Sequence, residues 1–450
     1  MKDKFCFENY KRLHFIGVGG VSMSGLALYS IRHKKTVSGS DICANEYFLK
    51  VKEAGAEVCV GHNENNVLSA DAVIYTSAID KNNCELVASK SNDIPMFTRS
   101  QMLGSIMEDY AHSVAIAGSH GKTTATAMLS NIFINANLCP TVFCGGMDKN
   151  FGNFVFGNKN FVIAEACEYK KNLLDIRPSV AVILNIDNDH LDSYSNMSEM
   201  IDVFSKFASY GIAILNYDDQ NCKKIANSSV LSFGIKNQAC IMAKKVRFNG
   251  KGYSFTLTKY GIKEGVINLN IEGEHNIYNA LSAISVCELF KIPFKVIKKS
   301  LEEFTNVSRR NEKIGEYLGC EITADYAHHP SEIRAIISAK KESGAFTVFQ
   351  PHTFSRTKIL MEDFVDVLKE VKNLVIFKTY PAREEYDFRG DGKTLYKNLK
   401  STGKKDCFYA DNPLELEKLM SRLKGKNGKA LVLGAGDIYQ ILEEILNTKT

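Results

Sequence analysis

Residues 112–124 read HSVAIAGSHGKTT, and ATAMLSNIF follows at 125–133. The apolar run VAIA is strand-like, the Gly-Ser-His-Gly segment is a turn, and the stretch after it has helical periodicity. A strand that delivers a glycine turn to the start of a helix is the context a phosphate loop needs. Gly118 and Gly121 let the backbone double back and aim its N–H groups at phosphate oxygens, and the positive end of the helix adds its field. Lys122 would neutralise β- and γ-phosphates, and the Thr123 hydroxyl would ligate Mg²⁺. The spacing G-x-x-G-K-T is shorter than the usual G-x-x-x-x-G-K-[ST]. A glycine turn with a solvated lysine is the plain alternative, but the strand before and the helix after favour nucleotide phosphate.

The same grammar recurs to either side. RLHFIGVGG (Arg12 to Gly20) and EITADYAHHP (Glu321 to Pro330) are also apolar runs that end in glycine- or histidine-rich turns before helical pattern. Three such runs predict α/β architecture with mainly parallel sheets, and ligands gather at the carboxyl ends of such strands. The expected divisions are 1–108, 109–307 and 308–450. The first join falls in the polar stretch after Met107, and the second falls before the Arg309-Arg310 pair.

With 450 residues, 45% of them hydrophobic, the chain has room for two or three separate cores. Its formal charge is +5, from 56 basic and 51 acidic residues, and the basic residues are scattered rather than striped. That pattern argues against nucleic acid as a partner. No run approaches the roughly 18 apolar residues of a membrane span, and the N-terminus lacks a signal-peptide core, so no membrane partner and a cytoplasmic location are expected. The twelve cysteines form no Cys-x-x-Cys pair and are expected to be mostly buried thiols.

Further strings extend the pattern over nearly the whole chain: GVGGVSMSGLA from Gly17, EHNIYNALSA at 274–283, DYAHHPSEI at 325–333, FQPHTFSRT at 349–357 and GAGDI at 434–438. Together with the His-Gly-Lys-Thr-Thr loop they resemble the Mur ligase family, the amide-forming enzymes that build the peptidoglycan stem. The strings look most like the member that joins L-alanine to UDP-N-acetylmuramic acid. A relative that recycles murein tripeptide is the nearest alternative. The resemblance implies three domains: an N-terminal one for the UDP sugar, a central ATPase, and a Rossmann-like C-terminal one that closes for nucleotide and amino acid. It implies ATP and Mg²⁺ as cofactors and leaves the oligomeric state open.

Residue roles follow from the same resemblance. Gly118, Ser119, His120, Gly121, Lys122, Thr123 and Thr124 would hold ATP phosphates. Gly17, Gly19, Gly20 and Ser22 would cradle the UDP diphosphate, with Asp41, Thr76 and Ser77 by the uridine. Read alone, GVGGVS followed by Asp41 mimics a dinucleotide fingerprint, but its third glycine position is Ser22 and a better phosphate loop follows, so a sugar nucleotide is the more economical ligand, with a tight strand-to-helix turn that binds nothing as the plain alternative. Glu165 and His190 each follow an apolar run, and the resemblance makes them metal ligands beside Thr123. A strand-end histidine can equally be structural. The segment after Glu165 reads Ala-Cys-Glu-Tyr-Lys where relatives often read Ala-Asp-Glu-Ser-Asp, so that Glu168 is retained while Cys167, Tyr169 and Lys170 depart.

Asn276 and Asn279 would contact the adenine, although Asn276 could also cap its helix. Arg310 and Asp325 match positions that hold phosphate and ribose. His328, His329 and Arg356 are candidates for receiving alanine, and Arg356 would hold its carboxylate, because Thr353 stands where relatives often have another arginine; the two histidines could equally serve hydrogen bonding in the turn before Pro330. The catalytic group is thus Lys122, Glu165, His190, His328 and Arg356. Two readings from other classes compete: an NAD-dependent oxidoreductase built on Gly17 to Gly20 with Asp41, and an ATP-gated binding protein built on Gly118 to Thr124. Neither accounts for the second loop together with Glu165, His190 and the His-His-Pro segment.

Overall fold

A computed structural model describes residues 4–76, 79–187, 193–225, 230–305, 307–308, 310–339, 346–382, 384–424 and 428–447. Two compact units result, Met1–Val307 and Ser308–Thr450. The first unit holds two sheets. Its smaller sheet contains β1 (Arg12–Ile16), β2 (Thr36–Asp41), β3 (Glu57–Val60), β4 (Ala72–Tyr75) and β5 (Met96–Thr98). All neighbours are parallel in the order β3-β2-β1-β4-β5, a nucleotide-binding arrangement whose switch point is the end of β1.

The larger sheet contains β6 (His112–Ala117), β7 (Thr141–Asp148), β8 (Gly152–Val155), β9 (Phe161–Glu165), β10 (Val180–Ile183), β11 (Ile212–Asn216), β12 (Val230–Gly234), β13 (Ile241–Phe248), β14 (Tyr253–Lys259) and β15 (Ile262–Leu269). Its order is β15-β14-β13-β12-β11-β10-β6-β9-β7-β8. The middle is parallel, whereas β7/β8 and β13/β14/β15 are antiparallel. β6 is apolar on both faces because both are covered. Its Ala115 and Ala117 pack in a cluster with Phe204 and Phe207, while Val114 and Ile116 pack with Met128, Ile132, Ile277 and Leu281.

One polar hub interrupts the core of the smaller sheet. Glu85, fully buried, accepts hydrogen bonds from Ser40 Oγ and Asn66 Nδ2 and lies 3.1 Å from His62 Nδ1, with His14 Nε2 at 3.7 Å. Burial opposes its charge, but these partners outweigh burial and hold its carboxyl down to about 2.

The second unit contains β16 (Glu312–Tyr317), β17 (Cys320–Asp325), β18 (Phe346–Phe349), β19 (Leu374–Phe377), β20 (Cys407–Ala410) and β21 (Lys429–Leu433), in the order β16-β17-β21-β18-β19-β20. Only the β16/β17 pair is antiparallel. Among the described residues, no helix is long and apolar enough to cross a membrane. The cysteines correct the sequence expectation. All are free thiols, but Cys6, Cys43, Cys59, Cys84 and Cys139 are exposed, as many as are buried. Each of these five lies outside the apolar clusters, in a turn, at a helix start or on an edge strand.

Candidate active site

The strand β6 ends at Ala117, and the helix Lys122–Asn135 begins five residues later. Gly118 (φ +141°) and Gly121 (φ +85°) occupy backbone space that side chains rarely enter. A Cβ on Gly121 would stand 2.5 Å from Asn279 Oδ1, so this glycine also lets the His275–Leu289 helix approach the loop. The loop is clamped from the end of β10. His120 N donates to Asn185 Oδ1 (2.8 Å), and Asn185 Nδ2 donates back to His120 O (3.0 Å). Asp187 N donates to Ser119 Oγ, and His120 Nε2 lies 3.1 Å from the Asp187 carboxylate. Asn185 and Asp187 escaped the sequence reading. Their signal was a polar pair directly after the apolar run VAVIL.

Lys122 Nζ donates to the carbonyls of Gly118 and Ser119 and to Glu168. Burial works against its charge, yet the Glu168, Cys167 and Glu165 side chains outweigh burial and raise its pKa. Thr123 Oγ1 donates to Glu165 Oε2 at 3.1 Å, which brings together two of the three expected metal ligands. His190 lies outside the described residues. Glu165 also accepts from Gly145 N. A Cβ on Gly145 would sit 2.5 Å from Glu165 Oε2, and one on Gly146 would sit 2.8 Å from Thr123 Cγ2. The Gly145-Gly146 pair in β7 therefore forms a cradle for these oxygens, which an unusual glycine doublet within a strand could have signalled.

Asn276 and Asn279 are buried. Asn279 Nδ2 donates to Asn276 Oδ1 (3.0 Å), and Asn276 Nδ2 donates to Glu272 O. Glu274, not Asn276, occupies the cap position, so the capping alternative is not realised.

At the end of β1, Gly17 (φ +83°) and Val18 donate their N–H groups to Ser40 O. Gly19 N donates to Asp41 Oδ2 (2.8 Å), and Ile42 N donates to Asp41 Oδ1. Asp41 thus ties the glycine loop through Oδ2, while Oδ1 is taken by the backbone that follows it. Gly20 is the cap of the Val21–Arg32 helix, and Ser22 lies in its first turn. Thr76 Cγ2 borders the space above Gly17, and Ser77 lies outside the described residues.

In the second unit, Asp325 ends β17 and is nearly buried, accepting from Asn311 N and Ala327 N. Burial pushes its carboxyl up, and Arg310 opposes that rise. The Arg310 guanidinium lies over the Tyr326 ring. His328 Nδ1 is 2.9 Å from Tyr326 O, and the Glu332 carboxylate accepts from the N–H groups of His328 and His329. His329 is buried, with Nδ1 2.7 Å from Ser331 Oγ. Arg356 begins in the first turn of the Phe354–Ile359 helix, capped by Thr353, and its Nη1 lies 3.3 Å from His352 Nδ1. Burial, with His328 and Arg356 nearby, lowers His352 to about 3, so this neutral ring accepts from Arg356. His352, too, had been passed over within its own string.

A family model described as "Mur ligase middle domain" matches residues 116–287, and one described as "Mur ligase family, catalytic domain" matches residues 12–111. A UDP-N-acetylmuramate--L-alanine ligase of Clostridium botulinum is 40% identical over 99% of both chains. The chain belongs to the Mur ligase family. The protein of that name from Aquifex aeolicus is 37% identical over 98% of both. Among solved structures, the UDP-N-acetylmuramate-alanine ligase of Thermotoga maritima superposes with a TM-score of 0.83 at 26% identity, over 97% of this chain and all of the other. A murein peptide ligase from Psychrobacter arcticus gives 0.75 at 19% identity over 97% and 98%, which shows a shared Mur ligase fold.

Proposed function

We propose that this Mur ligase joins L-alanine to UDP-N-acetylmuramic acid in peptidoglycan synthesis, converting ATP to ADP and phosphate. The observation that carries the reading is the phosphate loop, with Lys122 at its helix start and the Thr123–Glu165 oxygen pair beside it. Full-length similarity to ligases of that name gives the substrates. A carboxylate is a poor acyl donor until its oxygen becomes a leaving group. Transfer of the γ-phosphoryl to the lactyl carboxylate makes an acyl phosphate. The neutral amine of alanine then attacks the acyl carbon, and phosphate departs from the tetrahedral adduct. Two anions must meet in the first step, so fixed cations and donors at the loop lower its barrier.

Thr123 and Glu165 are hard oxygen donors held together by a glycine cradle, and that donor set suits Mg²⁺. His190 is the third ligand in this reading. Bound there, Mg²⁺ would neutralise phosphate charge. Gly118 to Thr124 would bind the phosphates, Asn276 and Asn279 the adenine side, and Arg310 and Asp325 the phosphate and ribose. Gly17, Gly19, Gly20 and Ser22 would hold the UDP diphosphate, with Asp41, Thr76 and Ser77 near the uridine. Arg356 would anchor the alanine carboxylate, with His328 adjoining. The divisions 1–108, 109–307 and 308–450 belong to this reading, as does a cytoplasmic location.

The test is a phosphate-release panel. Release is expected only when UDP-N-acetylmuramic acid, ATP and alanine are all present, with glycine and serine compared as acceptors. Release from ATP alone overturns the reading in favour of a nucleotide switch, and nicotinamide absorbance changes would overturn it in favour of a dehydrogenase.

A further inference from the structure

Glu165 and Glu168 lie three residues apart on the segment that leaves β9, and each is paired with a different one of two consecutive residues at the helix start. Glu165 takes Thr123, and Glu168 takes Lys122. The second pair is the more enclosed. The Glu168 side chain is 1% exposed, its two oxygens lie 3.1 and 3.0 Å from Lys122 Nζ, and its backbone carbonyl is held by the buried Tyr194 hydroxyl.

An ammonium has three N–H donors. Gly118 O, Ser119 O and Glu168 give Lys122 three acceptors, so the side chain is folded back across its own loop. A buried carboxylate is costly unless paired, which makes this ion pair a strong determinant of where Lys122 sits. A nucleotide at the loop needs the same ammonium for its β- and γ-phosphates. Glu168 therefore occupies, with respect to Lys122, the role a phosphate oxygen takes later.

We propose that Glu168 is a positioning residue that stands in for nucleotide phosphate, holding the Lys122 ammonium when nucleotide is absent and yielding it to the β- and γ-phosphates on binding. The proposal rests on the reading of Gly118 to Thr124 as the nucleotide site. Its signature is a split of opposite signs. Removing the Glu168 charge frees the Lys122 ammonium for the incoming β- and γ-phosphates, so affinity rises. The lysine also loses its preset position, so turnover falls. Damage to the fold would weaken both.

The experiment measures ADP and AMP binding by calorimetry in metal-free buffer, and ATP turnover with magnesium. The proteins are the wild type, Glu168→Gln, Lys122→Ala and the double variant, each with a thermal melt. Glu168→Gln is expected to tighten ADP about 3- to 10-fold, to leave AMP unchanged because it lacks the phosphates Lys122 reaches, and to lower kcat about tenfold. In the Lys122→Ala background the same substitution should change ADP affinity less than about twofold. Unchanged or weaker ADP binding, an equal gain in both backgrounds, or an unchanged kcat overturns the proposal. Wild-type ADP affinity in Lys122→Ala instead overturns the nucleotide-site reading. Should Glu168→Gln fail to fold, Glu168→Asp decides. Its carboxylate sits one methylene further back, smaller tightening of ADP is expected, and none overturns the proposal.

Discussion

Single residues carry the sharpest tests. Lys122 sits at the central loop, while Gly17 and Gly19 lie in the turn after β1, a strand of a different sheet of the same unit. Lys122→Ala is therefore expected to abolish phosphate release yet leave UDP-N-acetylmuramic acid affinity within about twofold, as read by calorimetry. Equal loss of both would sink this division of labour. Arg356 presents a planar fork that can meet a carboxylate through two parallel hydrogen bonds, and lysine has no such fork. Arg356→Lys is expected to raise the Michaelis constant for alanine by about 10-fold, roughly 1.4 kcal/mol, with the constants for ATP and the UDP sugar nearly still. A rise confined to ATP would move Arg356 to the phosphate site. At this scale the sequence was informative about residues whose chemistry is borne by type and spacing, such as Lys122, Thr123 and Glu165. It was silent about Asn185, Asp187 and His352, whose importance comes from what the fold brings beside them.

Elements explain how those residues are held. In β7 the Gly145-Gly146 pair admits the Glu165 carboxylate and the Thr123 methyl where any side chain would collide. Gly145→Ala is accordingly expected to lower turnover at least about 100-fold and to weaken magnesium dependence, with far-ultraviolet dichroism unchanged. Near-normal activity would show that the cradle does not matter. The Glu85 hub joins β1, β2 and the Cys84–Ser91 helix and makes stability depend on acid. Its carboxyl is held at about 2 against an ordinary 4.5, so its contribution is complete above 4.5 and is lost as pH falls through 2. That contribution is about 3 kcal/mol. Urea midpoints should fall between pH 5 and pH 2.5 in the wild type and change less in Glu85→Gln. Parallel slopes would remove Glu85 from the account. Apolar runs made the parallel strands legible, because strands covered on both faces read as continuous hydrophobic stretches. The antiparallel β13/β14/β15 meander was not singled out. Several of its outward positions are exposed, including Phe248, Tyr260 and Ile262, so apolarity there does not mark the core.

The whole molecule is two units, and the second has its own buried clusters on either side of its sheet: Val348 and Val432 in one, Phe349 and Leu433 in the other. Residues 308–450, expressed alone, are expected to be soluble and to melt cooperatively. A broad, probe-dependent transition would show that they need the rest of the chain. Strand order also has a consequence for the chain as it is made. In the ten-stranded sheet, once β9 has paired with β6, the strands β10, β11, β12, β13, β14 and β15 each join the outer edge in the order in which they leave the ribosome. That sheet can grow during translation without reopening. The six-stranded sheet cannot, because β21 is the last strand synthesised and lies between β17 and β18. A nascent chain must keep that slot open until residue 433 has emerged, and a message cut short before residue 429 yields a first unit with all its strands and a second split down its middle.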